Sequence, residues 1–164
     1  MDLSSIVNSS NFVISLSAIQ DSEPLELLYG KGELSATQLG EYLGLFFGKL
    51  HTAGIYYNNT LEEHLFRHEK ELKVTGFEQS TINPMQFEDD VKEAIEYLSN
   101  HVIRTELESA VKSFMNSYAK IGDIRIFLAG VRRHIKYTPP EDTIRSIPWL
   151  VSFSSSQHNS EFFH

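Results

Sequence analysis

The stretch LHTAGIYYNNTLEEHLF, residues 50 to 66, gathers His51, Tyr57, Asn59 and His64 within one helix end and the polar loop that follows it. A loop of this composition performs proton transfer or holds a metal when a carboxylate sits at its centre, and Asn59 stands where that acid is expected; a carboxamide cannot accept a proton as a carboxylate does. His68 lies four residues beyond His64 among Glu62, Glu63 and Glu69, which on a helix sets both imidazoles on one face as zinc ligands. On a strand the same four residues span about 13 Å, too far to share one ion. Asp89 and Asp90 are adjacent, so on a helix their side chains diverge by about 100° and make a poor acid–base pair. They read as a first-turn match to the helix dipole. The Gly-x-Gly of YGKGE, Tyr29 to Glu33, lacks the strand that a phosphate-cradling loop requires. Neither a metal site nor a cofactor is expected.

These residues need elements to carry them. SATQLGEYLGLFFGKLHTAG places Leu39, Leu43, Phe46 and Leu50 at helical spacing, opened by Ser35 and Gln38 in capping-box relation and ended by Gly54. His51 falls at the end of this helix, where it either fixes the loop or is simply a dipole-matched imidazole. HLFRHEKELKVTGF reads as a hairpin about a charged turn at His68 to Glu71. Three helices follow: one with Val91, Ile95, Leu98 and Val102 on a face, one with Leu107, Val111, Phe114 and Tyr118, and one opened by Asp123 and closed before TPPED. Ahead of them all, NFVISL (Asn11 to Leu16) reads as a short strand, and IQDSEPLELLYGKGE as a connector with one helical turn. The fold class expected is α+β, mainly helical.

Composition sets the outer bounds. With 164 residues, 41% of them hydrophobic and 12% aromatic, the chain suffices for one compact domain. That domain is expected over residues 1–145, with a Ser-rich aromatic tail over 146–164 that docks through Trp149 and Phe153 or stays mobile. A net charge of −8, with a single short basic cluster at Arg132 to Lys136, argues against a grip on nucleic acid phosphates. The cluster reads as a solvated last helical turn. Without Cys there is neither a disulfide framework nor a thiolate metal site. No signal segment and no run of about 18 apolar residues is present, so a soluble, cytoplasmic chain without a membrane span is expected.

The order helix, Gly, apolar pair, polar loop, hairpin and then helices only resembles a protein-kinase-like C-terminal lobe. In such enzymes the loop reads roughly H-x-D-x-x-x-x-N, and a later Asp holds the Mg²⁺ that bridges the phosphates. Laid on this chain, the His position is Tyr57, the catalytic Asp is Asn59, the metal-holding Asn is His64, and the metal-holding Asp is Gly76 in VTGFE. Within that superfamily LHTAG resembles the small bacterial lipopolysaccharide-core kinases and their toluene-tolerance relatives, which sometimes carry His at the metal-holding Asn position and include degenerate members. LHTAGI and GVRRHIKY are also similar to the small atypical kinase of the tRNA-threonylcarbamoylation complex. The resemblance covers about residues 11 to 137.

What the resemblance implies is loss of chemistry. Asn59 accepts no proton, Gly76 offers no ligand, and His64 alone is a poor partner for a hard cation that wants oxygens. An active kinase also needs a further lobe of roughly eighty residues with a Gly-rich strand pair and a Lys, which the first 33 residues here do not supply. The expected protein is a non-catalytic, pseudokinase-like binding or regulatory domain that acts through a protein partner or self-association, without nucleotide. Leu39, Leu43, Phe46 and Leu50 are its expected partner-binding face. Two alternatives stand beside it. One is a sugar, lipopolysaccharide or protein phosphotransferase active only with an N-terminal lobe from another chain; the other is an unrelated helical adaptor, which has no hairpin between residues 64 and 78.

Overall fold

The computed structural model describes residues 22–137. The strand expected at Asn11 to Leu16, the boundary at residue 145 and the tail with Trp149 and Phe153 lie outside the described residues. The architecture is α+β and mainly helical, as expected: a three-stranded antiparallel sheet beside five helices.

The chain enters through β1 (Glu23–Pro24) and α1 (Leu25–Gly30). It then forms α2 (Ala36–Thr52), whose start is fixed reciprocally: Gln38 N donates to Ser35 Oγ at 3.1 Å and Ser35 N donates to Gln38 Oε1 at 2.9 Å. The hairpin follows as β2 (Leu65–His68) and β3 (Glu71–Val74), paired from Leu65↔Val74 to His68↔Glu71, with β1 on the other edge of β2. Pro24 sits on that short edge strand, where a missing N–H disturbs the sheet least. A 3₁₀ turn at Pro84–Gln86 leads into α3 (Phe87–His101), then α4 (Arg104–Ala119) and α5 (Ile124–Tyr137). Asp123 caps the last helix by accepting from Arg125 N at 2.9 Å.

The core lies where α2 meets α4 and α3 meets α5. Val91, Ile95 and Leu98 on one face and Val111, Phe114 and Tyr118 on another are each 0% exposed, and full burial of each large apolar side chain contributes about 1.5–3 kcal/mol. α2 approaches α4 so closely that a Cβ on Gly44 would stand 2.5 Å from Ser117 Cβ and 2.7 Å from the Phe114 carbonyl oxygen. Ser113 Oγ bridges the same seam by donating to the Thr37 carbonyl at 2.8 Å.

Two expectations are corrected here. Leu39, Leu43 and Leu50 are 0% exposed and Phe46 is 6% exposed, so this face of α2 is no partner surface: the glycine-lined approach of α4 encloses the helix inside the molecule. The cluster Arg132 to Lys136 is likewise not a wholly solvated last turn. His134 is buried, and Arg133 forms ion pairs with Glu88 and, at 2.7 Å, Asp89.

Candidate functional site

The residues 55 to 60 leave α2 and run between the hairpin and the start of α3, and they are held from below by one carboxylate. Asp90 comes from the first turn of α3, and its side chain is 1% exposed. Its Oδ2 accepts from Tyr57 N at 2.8 Å and lies 2.9 Å from His51 Nε2; its Oδ1 accepts from Asn58 N at 3.1 Å. His51 Nδ1 in turn lies 2.8 Å from the Tyr118 hydroxyl, and the ring stacks on Phe87 with centroids 4.3 Å apart.

Burial pushes the His51 imidazole below its ordinary value, against the opposing pull of the Asp90 hydrogen bond and charge. The neutral ring then has one consistent tautomer: Nε2–H donates to Asp90 and Nδ1 accepts from Tyr118 O–H. Burial likewise raises the Tyr118 phenol, which keeps its proton for that bond. The result is a relay of satisfied hydrogen bonds that ties α2, α3, α4 and the loop at a single buried point.

Above it, the sequence-predicted positions meet at one corner. Gly76 adopts φ +85°, and a Cβ placed there would stand 2.6 Å from His64 Cδ2, 2.7 Å from the Tyr57 hydroxyl oxygen and 2.9 Å from Asn59 Nδ2. Each of the three side chains is engaged. Tyr57 O–H donates to the Thr75 carbonyl at 2.6 Å, Asn59 Nδ2 donates to the Gly76 carbonyl at 2.9 Å while Asn59 Oδ1 accepts from Thr60 N at 2.8 Å, and His64 Nδ1 donates to the Thr60 carbonyl at 3.1 Å. Phe46 and Phe77 close over Tyr57 edge-on, with centroids at 5.6 and 5.4 Å. Burial, and secondarily the Glu78 charge, raise the Tyr57 phenol, so it remains a hydrogen-bond donor rather than a base. His68, at the far end of β2, has no part in this corner.

On the other side of the loop opens a cleft of about 560 Å³, walled by Asn58, Asn59, Thr60 and Gln79 on the loops, by Asp89, Lys92 and Glu93 on α3, and by Arg133 on α5. Asn58 stands at φ +58°, a left-handed conformation that Asn adopts more readily than other side-chain-bearing residues. It is held there by its N–H to Asp90 and by its Nδ2, which donates to the Gln79 carbonyl at 3.2 Å. Glu93 is half-buried, and that burial, reinforced by Glu96 and opposed by Lys92, raises its carboxyl above the ordinary value.

The reading of Asp89 and Asp90 as a mere dipole match misses Asp90. The divergence of the two side chains is real, and its consequence is that Asp89 turns out to Arg133 while Asp90 turns into the core. A signal existed: Asp90 falls three residues after Phe87 and four before Ala94, on the buried stripe of α3, and His51 falls four after Phe47 on that of α2. A charge on an apolar stripe demands a partner, and these two are each other's. No helix among the described residues is long and apolar enough to cross a membrane. No family model, no curated protein and no solved structure matches the chain.

Proposed function

We propose that this chain is a non-catalytic domain of the protein-kinase-like C-terminal-lobe type, working by binding a protein partner. The observation that carries the reading is the closed corner at Gly76. The position that would offer a metal-holding carboxylate is a glycine at φ +85°, and Tyr57, Asn59 and His64 fill the space its side chain would need. Asn59 spends its carbonyl on Thr60 N and its amide on the Gly76 carbonyl, so it neither takes a proton nor orients a nucleophile. The donor set left is one imidazole and two spoken-for carboxamide atoms, which does not suit a hard divalent cation.

The β2–β3 hairpin directly after the loop supports this reading over an unrelated helical adaptor, which has no place for it. A partner-binding role is supported by surface that the domain leaves bare: Ile82 and Met85, on the segment between β3 and α3, are each 84% exposed.

The test is a calorimetric titration of ATP into the full chain with and without Mg²⁺. No Mg²⁺-dependent heat is expected. Saturable Mg²⁺-dependent binding that Asn59→Ala or His64→Ala abolishes overturns the reading and favours a phosphotransferase completed by another chain.

A further inference from the structure

We infer that the cleft beside the loop receives a guanidinium group, the Arg side chain of a protein partner, with Glu93 as its counter-charge. The inference rests on the partner-binding reading above and names the chemistry of what is bound. A cleft of about 560 Å³ lies within the roughly 300–1,000 Å³ typical of ligand sites, and what it holds out to a ligand follows from which of its polar groups are already used.

The cations are used. Lys92 Nζ pairs with Glu96 at 2.6 Å, and Arg133 spans Glu88 and Asp89. Among the anions, Asp90 accepts from three donors and Asp89 holds Arg133. Glu93 differs: its carboxylate accepts no hydrogen bond from any described residue, although it is half-buried in the wall. Asn58 spends its Nδ2 on the Gln79 carbonyl, which orients the carboxamide and leaves its Oδ1 as an acceptor. Asn59 is saturated at both ends. Among the charged groups of the wall the one left open is therefore Glu93, with Asn58 Oδ1 as an acceptor beside it and the neutral Tyr56, Thr60 and Gln79 side chains completing the lining. They call for a ligand that donates several hydrogen bonds and carries positive charge.

The surroundings favour the same sign. α3 sets Glu88, Asp89, Asp90, Glu93 and Glu96 against Lys92, with Arg133 facing them from α5, and the chain as a whole carries a net charge of −8. Such a field draws a basic partner toward the cleft and repels an acidic one. Burial, reinforced by Glu96 and opposed by Lys92, holds the Glu93 carboxyl above its ordinary value.

The experiment is a titration of the isotope-labelled full chain, followed by NMR, with N-acetylarginine amide, its neutral isostere N-acetylcitrulline amide, and spermidine. The arginine probe is expected to give saturable shifts at the amides of Asn58, Gln79 and Glu93, with the citrulline probe at least about fivefold weaker. Glu93→Gln, with its spectrum otherwise intact, is expected to weaken the arginine probe by about fivefold or more and Glu93→Asp to restore part of the loss. Arginine binding should also fade as pH falls, earlier than for an ordinary carboxylate, because burial, with Glu96, Asp90 and Asp89 about it and Lys92 opposing, makes Glu93 take up its proton sooner. Equal response to citrulline, or no effect of Glu93→Gln, overturns the inference; so does a cleft that saturates with spermidine while the arginine probe is silent. Mg²⁺·ATP added to the same sample reads the other site: shifts confined to Asn59, His64 and Gly76 overturn the non-catalytic reading and leave the result at Glu93 standing.

Discussion

Replacing Asp90 by Asn changes no heavy-atom position and one property, the ability to accept at both ends. Two orientations of the carboxamide are available. With its oxygen at the Oδ2 place, it keeps the donors from His51 Nε2 and Tyr57 N and turns its NH₂ against Asn58 N–H. The reverse keeps Asn58, requires His51 to switch tautomer and orphans the fully buried Tyr57 amide, so the first orientation wins. Its cost has two parts: the part-buried Asn58 amide left without an acceptor, about 1–3 kcal/mol, and two hydrogen bonds that fall from charged to neutral strength, about 1 kcal/mol each. Asp90→Asn is therefore expected to destabilise by about 3–5 kcal/mol, a large share of the roughly 5–15 kcal/mol that holds a domain together. Urea unfolding followed by circular dichroism measures this as a lower midpoint at unchanged slope. Hydrogen exchange locates it, because the loss should open the Asn58 amide before the rest of the core. Asp90→Asn within about 1 kcal/mol of the parent, or a destabilised variant whose Asn58 amide exchanges as before, refutes the reasoning.

Two further outcomes follow from the packing and the titrating groups. Gly44→Ala puts a methyl 2.5 Å from Ser117 Cβ and 2.7 Å from a backbone carbonyl that cannot swing away, so a loss of about 1–3 kcal/mol or more is expected in the same urea assay. His51 and His134 both sit below their ordinary value because burial disfavours their charge, with Asp90 opposing at His51 and Glu96 opposing at His134. A folded-state value below the unfolded 6.5 means that the unfolded chain binds the proton more tightly; this share of stability is full above that pH and is lost as pH falls through it. Thermal midpoints should drop between about pH 7.5 and about pH 5.5, and His134→Gln should flatten part of that drop; a flat profile in the parent contradicts it.

How much of this was legible in the residues depends on the range of the interactions. The capping box at Ser35 and Gln38, the hairpin about Glu69 and Lys70, and the apolar stripes of α3 and α4 are local, and the sequence expresses them directly. The convergence of Tyr57, Asn59 and His64 on Gly76 was reachable only through a resemblance, since no periodicity links residue 57 to residue 76. The reading of Leu39 to Leu50 as a bare face failed because an apolar stripe looks the same whether a partner or the chain's own helix covers it. Gly44, on the seam with α4, marks a close backbone approach, which fits a partner's helix as well as the chain's own, so only the folded chain shows which one covers the stripe. The role of Asp90 was hidden by its neighbours Glu88 and Asp89, which supply the ordinary explanation for acids in a first turn.

The way Asp90 holds the loop separates what the backbone fixes from what the side chains fix. It grips Tyr57 and Asn58 through their backbone N–H groups, which every residue but proline provides. That part of the grip does not depend on which side chains stand at residues 57 and 58, whose own bonds to the Thr75 and Gln79 carbonyls add to it, and the identity of Asn59 answers to the Gly76 carbonyl and Thr60 N. A carboxylate at residue 59 would lose the donor that Gly76 now receives, so the present corner selects for Asn over Asp on stability alone. The buried anchor thereby also fixes Asn58, which walls the cleft on the other side of the loop.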